Sequence, residues 1–495
     1  MPENSPTAIQ KSLPTNLEEL TKLLGDPIDL QVQTYGSDHS LGVVYLDSLT
    51  DEIDLKTNLL RPILPLLEER ARSLDKIVTL LPETGLHQCP DMETAAADLL
   101  QGRVVLFLNR ESTAFSFKLP GWARHELKEP KSEAIVHGPR EGFTETLSEN
   151  VGIIRRWIHD HRLRADQLNI GRRTKTKVAV IYLSDVARPR LVQEVKKRLS
   201  AIDIDGVIDS GYLEQLIKDR RASIFPLTQA TERTDKVTAG ILEGRVAILV
   251  DKSPFVILVP VTANELYQSS EDYYIDFWLA SLNRLFRLLG NILAVGLPGL
   301  YVAFASANPD LLPTQLTLLL AGSRAHAPLP LALEVFLLEV MVGIFFESGI
   351  RLPGMLSQTI GISFGVTIGL ASILSGLVSP ITMMIVAITA VASYTSPNFS
   401  VGTVWRLLKY FMLLAASLYG FFGLSIAGVL ILGHMADLKS FGVSYMAPWA
   451  PLQWPELIDA PVRAPFWSRW KRPKTYRPQD QLRFGSAKEE DDEND

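Results

Sequence analysis

The sequence has little of three things. It contains one cysteine, Cys89, among 495 residues. That excludes an intramolecular disulfide and any cysteine-rich metal site. It has no surplus of positive charge: 49 Lys and Arg stand against 55 Asp and Glu, a net charge of -6. Chains built to hold nucleic acid carry a basic excess, so no nucleic-acid partner is expected. It also lacks the G-x-x-x-x-G-K-[ST], H-E-x-x-H and C-x-x-C motifs, which bring phosphate-binding, zinc and redox chemistry with them. His159-Asp160-His161 follows the apparent end of a helix and lacks the i,i+4 spacing that puts two imidazoles on one helical face, so it reads as a solvated loop. Nothing sets a nucleophile beside a base. No catalytic, cofactor-binding or metal-ligating residue is assigned, and no enzyme is expected.

The scarcest feature is charge within one region. Between Arg351 and Arg406 lie 54 residues without an Asp, Glu, Lys, Arg or His. About 20 apolar residues cross a bilayer core, so this gap holds two helices, with Pro380 a natural break. Two further uncharged runs are Leu288 to Pro309 and Tyr410 to Gly433. A fourth apolar stretch, about Leu329 to Phe346, carries Glu334 and Glu339. Leu311 to Leu320 is short, holds Pro313, and reads as interfacial or re-entrant. These runs predict an all-α multi-span membrane domain of about five helices over 285–433. The segment Met1 to Asn16 is polar and reads as lacking a secretory signal. Arg284 and Arg287 precede the first span, and the excess of Lys and Arg on cytoplasmic loops puts the N-terminal half in the cytosol. Five spans would put the C-terminal tail outside. Yet that tail is basic at Arg463, Arg469, Lys471, Arg472, Lys474 and Arg477. Either a sixth crossing hides, for example within Tyr410–Gly433, or the tail breaks the rule.

The membrane charges are the candidate functional residues. A charge at the bilayer centre costs at least about 2.5 kcal/mol on insertion scales, so such groups face a protein interior or a water-filled path. At about 100° per residue, Glu334 and Glu339 differ by roughly 140° and do not share one narrow face. Glu347 and Arg351 are i,i+4 and can pair along a helix. Glu334, Glu339, Glu347 and Arg351 are thus candidates for an ion pathway or for intramembrane pairing. Gly361, Gly365 and Gly369 are spaced by four, which allows close helix packing and self-assembly.

The preceding half is expected to be α/β and to repeat itself. Val43-Val44-Tyr45-Leu46-Asp47 has the character of Val180-Ile181-Tyr182-Leu183-Ser184-Asp185. Leu99-Leu100-Gln101-Gly102-Arg103-Val104-Val105-Leu106 matches Ile241-Leu242-Glu243-Gly244-Arg245-Val246-Ala247-Ile248. In each copy a helix ends at glycine, which tolerates the positive φ found just past a helix. A strand follows, then a turn at 109–112 or 251–254, then a second strand, which is a hairpin signal. The reading is a polar segment 1–27, two related cytosolic subdomains at 28–125 and 150–280 joined by a linker 126–149, the membrane domain, and a tail 434–495. The basic stretch Ile170–Lys177 could meet acidic lipid headgroups or nucleic acid, but it reads more readily as a solvated linker or as a partner for acids on a neighbouring domain.

Several motifs together resemble the A subunits of the GerA-type spore germinant receptor family. They are His137-Gly138-Pro139-Arg140-Glu141-Gly142-Phe143-Thr144-Glu145, Ile170-Gly171-Arg172-Arg173-Thr174-Lys175-Thr176-Lys177, Ile204-Asp205-Gly206, Asp209-Ser210-Gly211-Tyr212 and Leu242–Val250. Ser269-Ser270-Glu271-Asp272-Tyr273-Tyr274, Gly349-Ile350-Arg351-Leu352-Pro353, Leu377-Val378-Ser379-Pro380 and Ser440-Phe441-Gly442-Val443-Ser444-Tyr445 complete the set. The resemblance runs from about residue 28 to 475. It implies a receptor subunit in the spore inner membrane or cell membrane of an endospore-forming bacterium. It also implies B-type and C-type partner subunits, a homo-oligomer, and an ion channel that triggers germination when nutrients are sensed. A secondary transporter of a small solute and a non-conducting scaffold are the alternatives. One departure is noted: the family pattern places a Glu and an Arg where this chain has Gly343 and Phe346.

Overall fold

The computed structural model describes residues 7–36, 40–68, 86–119, 129–130, 132–133, 135–351 and 369–483. Helix α1 (Leu13–Leu24) leads into β1 (Leu30–Tyr35) and β2 (Leu41–Leu46). Then come α2 (Arg61–Glu68), β3 (Leu86–Cys89), α3 (Met92–Leu100), β4 (Arg103–Leu108) and β5 (Ala114–Lys118). A second set follows: α4 (Leu147–Trp157), β6 (Leu163–Ile170), β7 (Thr176–Leu183), α5 (Pro189–Ser200), α6 (Ser210–Ile217), β8 (Gln229–Thr231), α7 (Thr234–Leu242), β9 (Val246–Val250) and β10 (Val256–Val259).

The strand orders are β1-β2-β4-β5-β3 and β6-β7-β9-β10-β8. Position for position these are one topology used twice, and the neighbouring strands run antiparallel. The sequence repeat is a repeat of fold. Its punctuation recurs as well: Gly102 and Gly244 take φ 79° and 92° between helix and strand, and Arg110 and Lys252 take φ 76° and 68° in the hairpin turns.

Each sheet is covered on both faces, so its central strands are apolar throughout instead of alternating with polar residues. In β2, Val44 and Leu46 face α1 and α3, while Val43 and Tyr45 face the opposite cluster with Leu55, Leu59 and Ile63. In β7, Ala179 and Ile181 face α4 and α7, while Val178 and Val180 face α5 and α6. The two units join through charge. Asp29, before β1, accepts two bonds from Arg155 of α4 at 2.6 and 2.8 Å. Both side chains are buried, and Ile28 N–H donates to the Ala165 carbonyl at 3.1 Å. The stretch ahead of α4 lies along the second unit, with Phe143 N–H donating to the Glu232 carbonyl.

The C-terminal region is helical: α8 (Phe277–Val302), α9 (Thr314–Ser323), α10 (Leu331–Arg351), α11 (Gly369–Leu374), α12 (Pro380–Ala392) and α13 (Phe399–Asp437). Among the described residues, two helical stretches, Phe277–Ala307 and Phe399–Asp437, are long and apolar enough to cross a membrane. Helix α9, in the segment read as interfacial, has ten residues and no buried side chain; at about 15 Å it is too short to span. Ser379 caps α12, accepting from Thr382 N–H, and Pro380 is its first residue, so the expected break at Pro380 is where a helix begins. Of the glycines spaced by four, Gly369 opens α11 and is buried, while Gly361 and Gly365 lie outside the described residues.

Helix α13 is not straight. Gly420 has φ 58° and ψ -140°, a conformation that side chains disfavour. The chain reverses there. Trp405 and His434 both pack on Phe225, with ring centroids 6.2 and 5.9 Å away. A continuous helix would hold those two residues about 43 Å apart. The side-chain oxygen of Asn308 accepts the Phe421 N–H freed by the break, at 2.9 Å. The arms 399–419 and 421–437 form a helical hairpin, and the long Tyr410–Gly433 run contains its turn.

After the hairpin the tail rejoins the second unit. Ser440 Oγ donates to the Leu227 carbonyl at 2.7 Å and accepts Val261 N–H at 3.1 Å. Ala263 N–H donates to the Tyr445 carbonyl, and Gln479 reaches the Ala187 carbonyl at 2.6 Å.

Candidate functional site

The two buried acids of α10 sit at helix contacts. Glu334 and Glu339, on α10, are both buried, and their different angular positions give them different partners. Glu334 accepts Ser379 N–H at 2.7 Å, at the start of α12, where helix N–H groups lack internal acceptors. Its other oxygen lies 3.4 Å from Arg324. Glu339 pairs with Lys409 in the first arm of α13, and both are buried. The Tyr410 hydroxyl closes the same contact by donating to the Glu339 carbonyl at 3.1 Å. Glu347 is exposed on α10 and lies within electrostatic reach of Arg406. The Arg351 side chain lies outside the described residues, so its pairing with Glu347 has no geometry to report.

Sequence reasoning missed the cations. Lys409 stands one residue before the Tyr410–Gly433 run, and Arg324 lies just ahead of α10. Their signal was position: each flanks an apolar stretch, where a long side chain can turn inward. The departures from the family pattern also acquire neighbours. Phe346 receives the Arg406 guanidinium 3.6 Å from its ring centroid, a cation–π contact. Gly343 leaves room for Tyr410, whose hydroxyl would lie 3.2 Å from a Cβ at that position.

A second charged cluster sits where α8 meets the sheets. Asp272 is fully buried and accepts from Arg284 at 3.0 Å and from Arg287 at 2.5 Å. Arg284 also donates to Asp459 of the tail at 3.0 Å, and Asp459 pairs with Arg469 at 3.0 Å. The arginines taken as topology markers are therefore also the bolts between helix, sheet and tail.

Two other sequence candidates resolve locally. The basic stretch Ile170–Lys177 includes the β6–β7 hairpin turn, where Arg172 pairs with Asp203 at 2.5 Å and Arg173 lies 3.9 Å from Asp205. It meets acids of its own unit and is no linker between units. Asp160 holds Arg162 at 2.6 Å, with the His161 ring 3.7 Å away. The unforeseen cluster is His87, Cys89 and Asp98, whose ligand atoms lie within 4.8 Å of one another. Alternation along β3 puts His87 and Cys89 on one face. Their shared partner is Asp98, which accepts from His87 at 2.6 Å, Cys89 at 3.3 Å and Ser116 at 2.5 Å. Burial pushes the Cys89 thiol up to about 12. Burial also raises the Asp98 carboxyl, but the hydrogen bonds from Ser116, His87 and Cys89, with the Arg103 charge, outweigh it and hold Asp98 below the usual carboxylate value. A protonated thiol and a guanidinium 3.6 Å from the carboxylate make a hydrogen-bonded knot, a poor fit to a cation.

Two sheets carrying an apolar helical region with internally paired charges define a membrane-associated protein with a large soluble part. The chain belongs to the GerA family: the model for the Bacillus/Clostridium GerA spore germination protein matches residues 18–475. It is 33% identical over 488 residues to spore germination protein KA of Bacillus subtilis (strain 168), covering 97% of this chain and 89% of that protein. It is 34% identical to spore germination protein B1 of the same organism, covering 96% and 99%. The solved N-terminal domain of the A subunit of the Bacillus megaterium spore germinant receptor GerK3 is 26% identical. It covers 52% of this chain and 97% of that domain, with a TM-score of 0.40. Family membership puts the chain in a multi-subunit germinant-receptor complex and outside the enzymes.

Proposed function

We propose that this chain is the membrane subunit of a nutrient-sensing germinant receptor. It works with B-type and C-type subunits in the spore inner membrane or cell membrane, and its copies assemble into an ion channel that triggers germination. The observation that carries this reading is the extent of the family match, 18–475, which takes in both sheets and the helical region. The units are two cytosolic subdomains at 28–125 and 150–280, a linker 126–149, a multi-span domain 285–433 and a tail 434–495. The hairpin at Gly420 adds a crossing, and both ends of the helical region are tied to the second unit. Together these support an even number of crossings and a tail on the side of the sheets. The basic residues at both ends support that side being cytosolic.

Glu334 and Glu339 serve in this reading as paired charges that fix α10 against α12 and α13. Closing both acids inside the helical region also favours the scaffold alternative, so the test separates the two. Oligomers of the full chain reconstituted in planar bilayers are expected to pass ions. Lys409→Met is expected to lower recovery of the assembled complex, because it leaves Glu339 buried without its cation, whereas Lys409→Met with Glu339→Gln restores it. Bilayers that stay silent while B-type and C-type subunits still co-purify would sink the channel and leave the scaffold.

A further inference from the structure

We propose that residues 446–471 lie in the plane of the membrane interface, as a tryptophan-rich belt that seats the base of α8 among anionic lipid headgroups. This rests on the reading that α8 enters the bilayer.

The tail in this stretch is unusually apolar on its outside. Trp454 is 73% exposed and Trp467 67%, and Trp449, Leu452, Ile458 and Trp470 are exposed as well. A patch of that kind is costly in water and marks a contact surface. Tryptophan favours the headgroup level, where its ring is buried and its N–H stays wet.

The level of the patch is set by its anchors. Arg463 N–H donates to Ser281 Oγ at 3.0 Å, Asp459 accepts from Arg284, and the Trp467 ring meets Phe277 edge-on at 5.9 Å. All three anchor residues are in the first turns of α8. On that helix Trp278, 74% exposed, and Leu279 add to the outward apolar surface. The belt is therefore held where the helix begins its apolar run.

Charge identifies the occupant. The segment has two acids, Glu456 and Asp459. Glu456 accepts from the backbone and hydroxyl of Thr475, and Asp459 is held by Arg284 and Arg469. Lys471 is exposed and stands 3.8 Å over the Trp470 ring. The outward face thus offers indoles, aliphatic chains and a cation, the combination that binds the boundary of an anionic bilayer.

The test uses the full chain in vesicles of phosphatidylglycerol and phosphatidylethanolamine. A nitroxide is attached at Trp454→Cys or Trp467→Cys; the native Cys89 is buried and stays silent. Ile208→Cys, on the soluble half, is the aqueous reference, and Ile292→Cys, on α8, is the lipid reference. Labels at 454 and 467 are expected to collide with oxygen in preference to an aqueous nickel chelate several-fold more than the label at 208. Accessibility equal to that at 208, with 292 still lipid-exposed, overturns the belt and leaves the span intact. Labels shielded from both reagents mean that a second copy or another subunit covers the face, which also overturns it. If 292 itself is aqueous, the span reading falls and the belt with it.

Discussion

At the scale of single residues, a buried ion pair ties the two halves of the soluble region together. Asp29 and Arg155 are 126 positions apart and make two hydrogen bonds. Taking two charges out of water is expensive, and removing one partner leaves the other uncompensated. Arg155→Ala is expected to destabilise the soluble half by about 3–5 kcal/mol, read as a lower denaturant midpoint in the full chain. Replacing both residues by leucine and methionine of similar volume should recover most of that loss. A midpoint unchanged in Arg155→Ala would mean that water reaches the pair. Neither residue stands out in the sequence. Asp29 lies between an isoleucine and a leucine, and Arg155 is one of two adjacent arginines on α4. Which of the two arginines turns inward depends on the packing of α4, so the partner could not be named in advance.

At the scale of elements, the repeat was legible, and the hairpin only as one of two alternatives for the Tyr410–Gly433 run, with its turn unplaced. The helix–glycine–strand device at Gly102 and Gly244 is local chemistry: positive φ at a fixed offset followed by β-branched residues. It survives as sequence similarity because each copy must solve the same turn. Gly420 is different. Five glycines lie between 402 and 433, and nothing local says which one reverses the chain. The choice comes from Asn308, brought in from the end of α8 to accept the freed Phe421 N–H. Spin labels at Leu407 and Leu430, which border one apolar groove between the arms, are expected to lie far closer than the about 35 Å of a continuous helix. Gly420→Leu should broaden or lengthen that distance, since a Cβ there would fall 2.2 Å from the Asn308 side chain. A long distance in the unaltered chain would refute the hairpin.

At the scale of the whole molecule, the tail closes a circuit. The chain leaves the second unit through α8, passes through the helical region, and returns to the same unit at Ser440. Arg284 then ties α8 to Asp272 on one side and to tail residue Asp459 on the other. A displacement of the second unit therefore acts on both ends of the helical region together. In oriented membrane vesicles, a C-terminal tag and a label at Ile208 are expected to react from the same side. Reaction from opposite sides would require an odd number of crossings and contradict the tail contacts.

The sequence by itself determined the division into a charged half and a charge-depleted half, the doubled soluble fold and the family. Each follows from composition or from turn chemistry that neighbours along the chain decide. It also placed the acids of α10 on different faces, because helical periodicity is a local rule. Tertiary structure alone decided who meets whom: Glu339 with Lys409, Asp29 with Arg155, Asn308 at Gly420, and the tail on the second unit. Those pairings are long-range. In a low-dielectric interior a charge or a freed N–H must find a partner, and which partner is available depends on how distant helices pack.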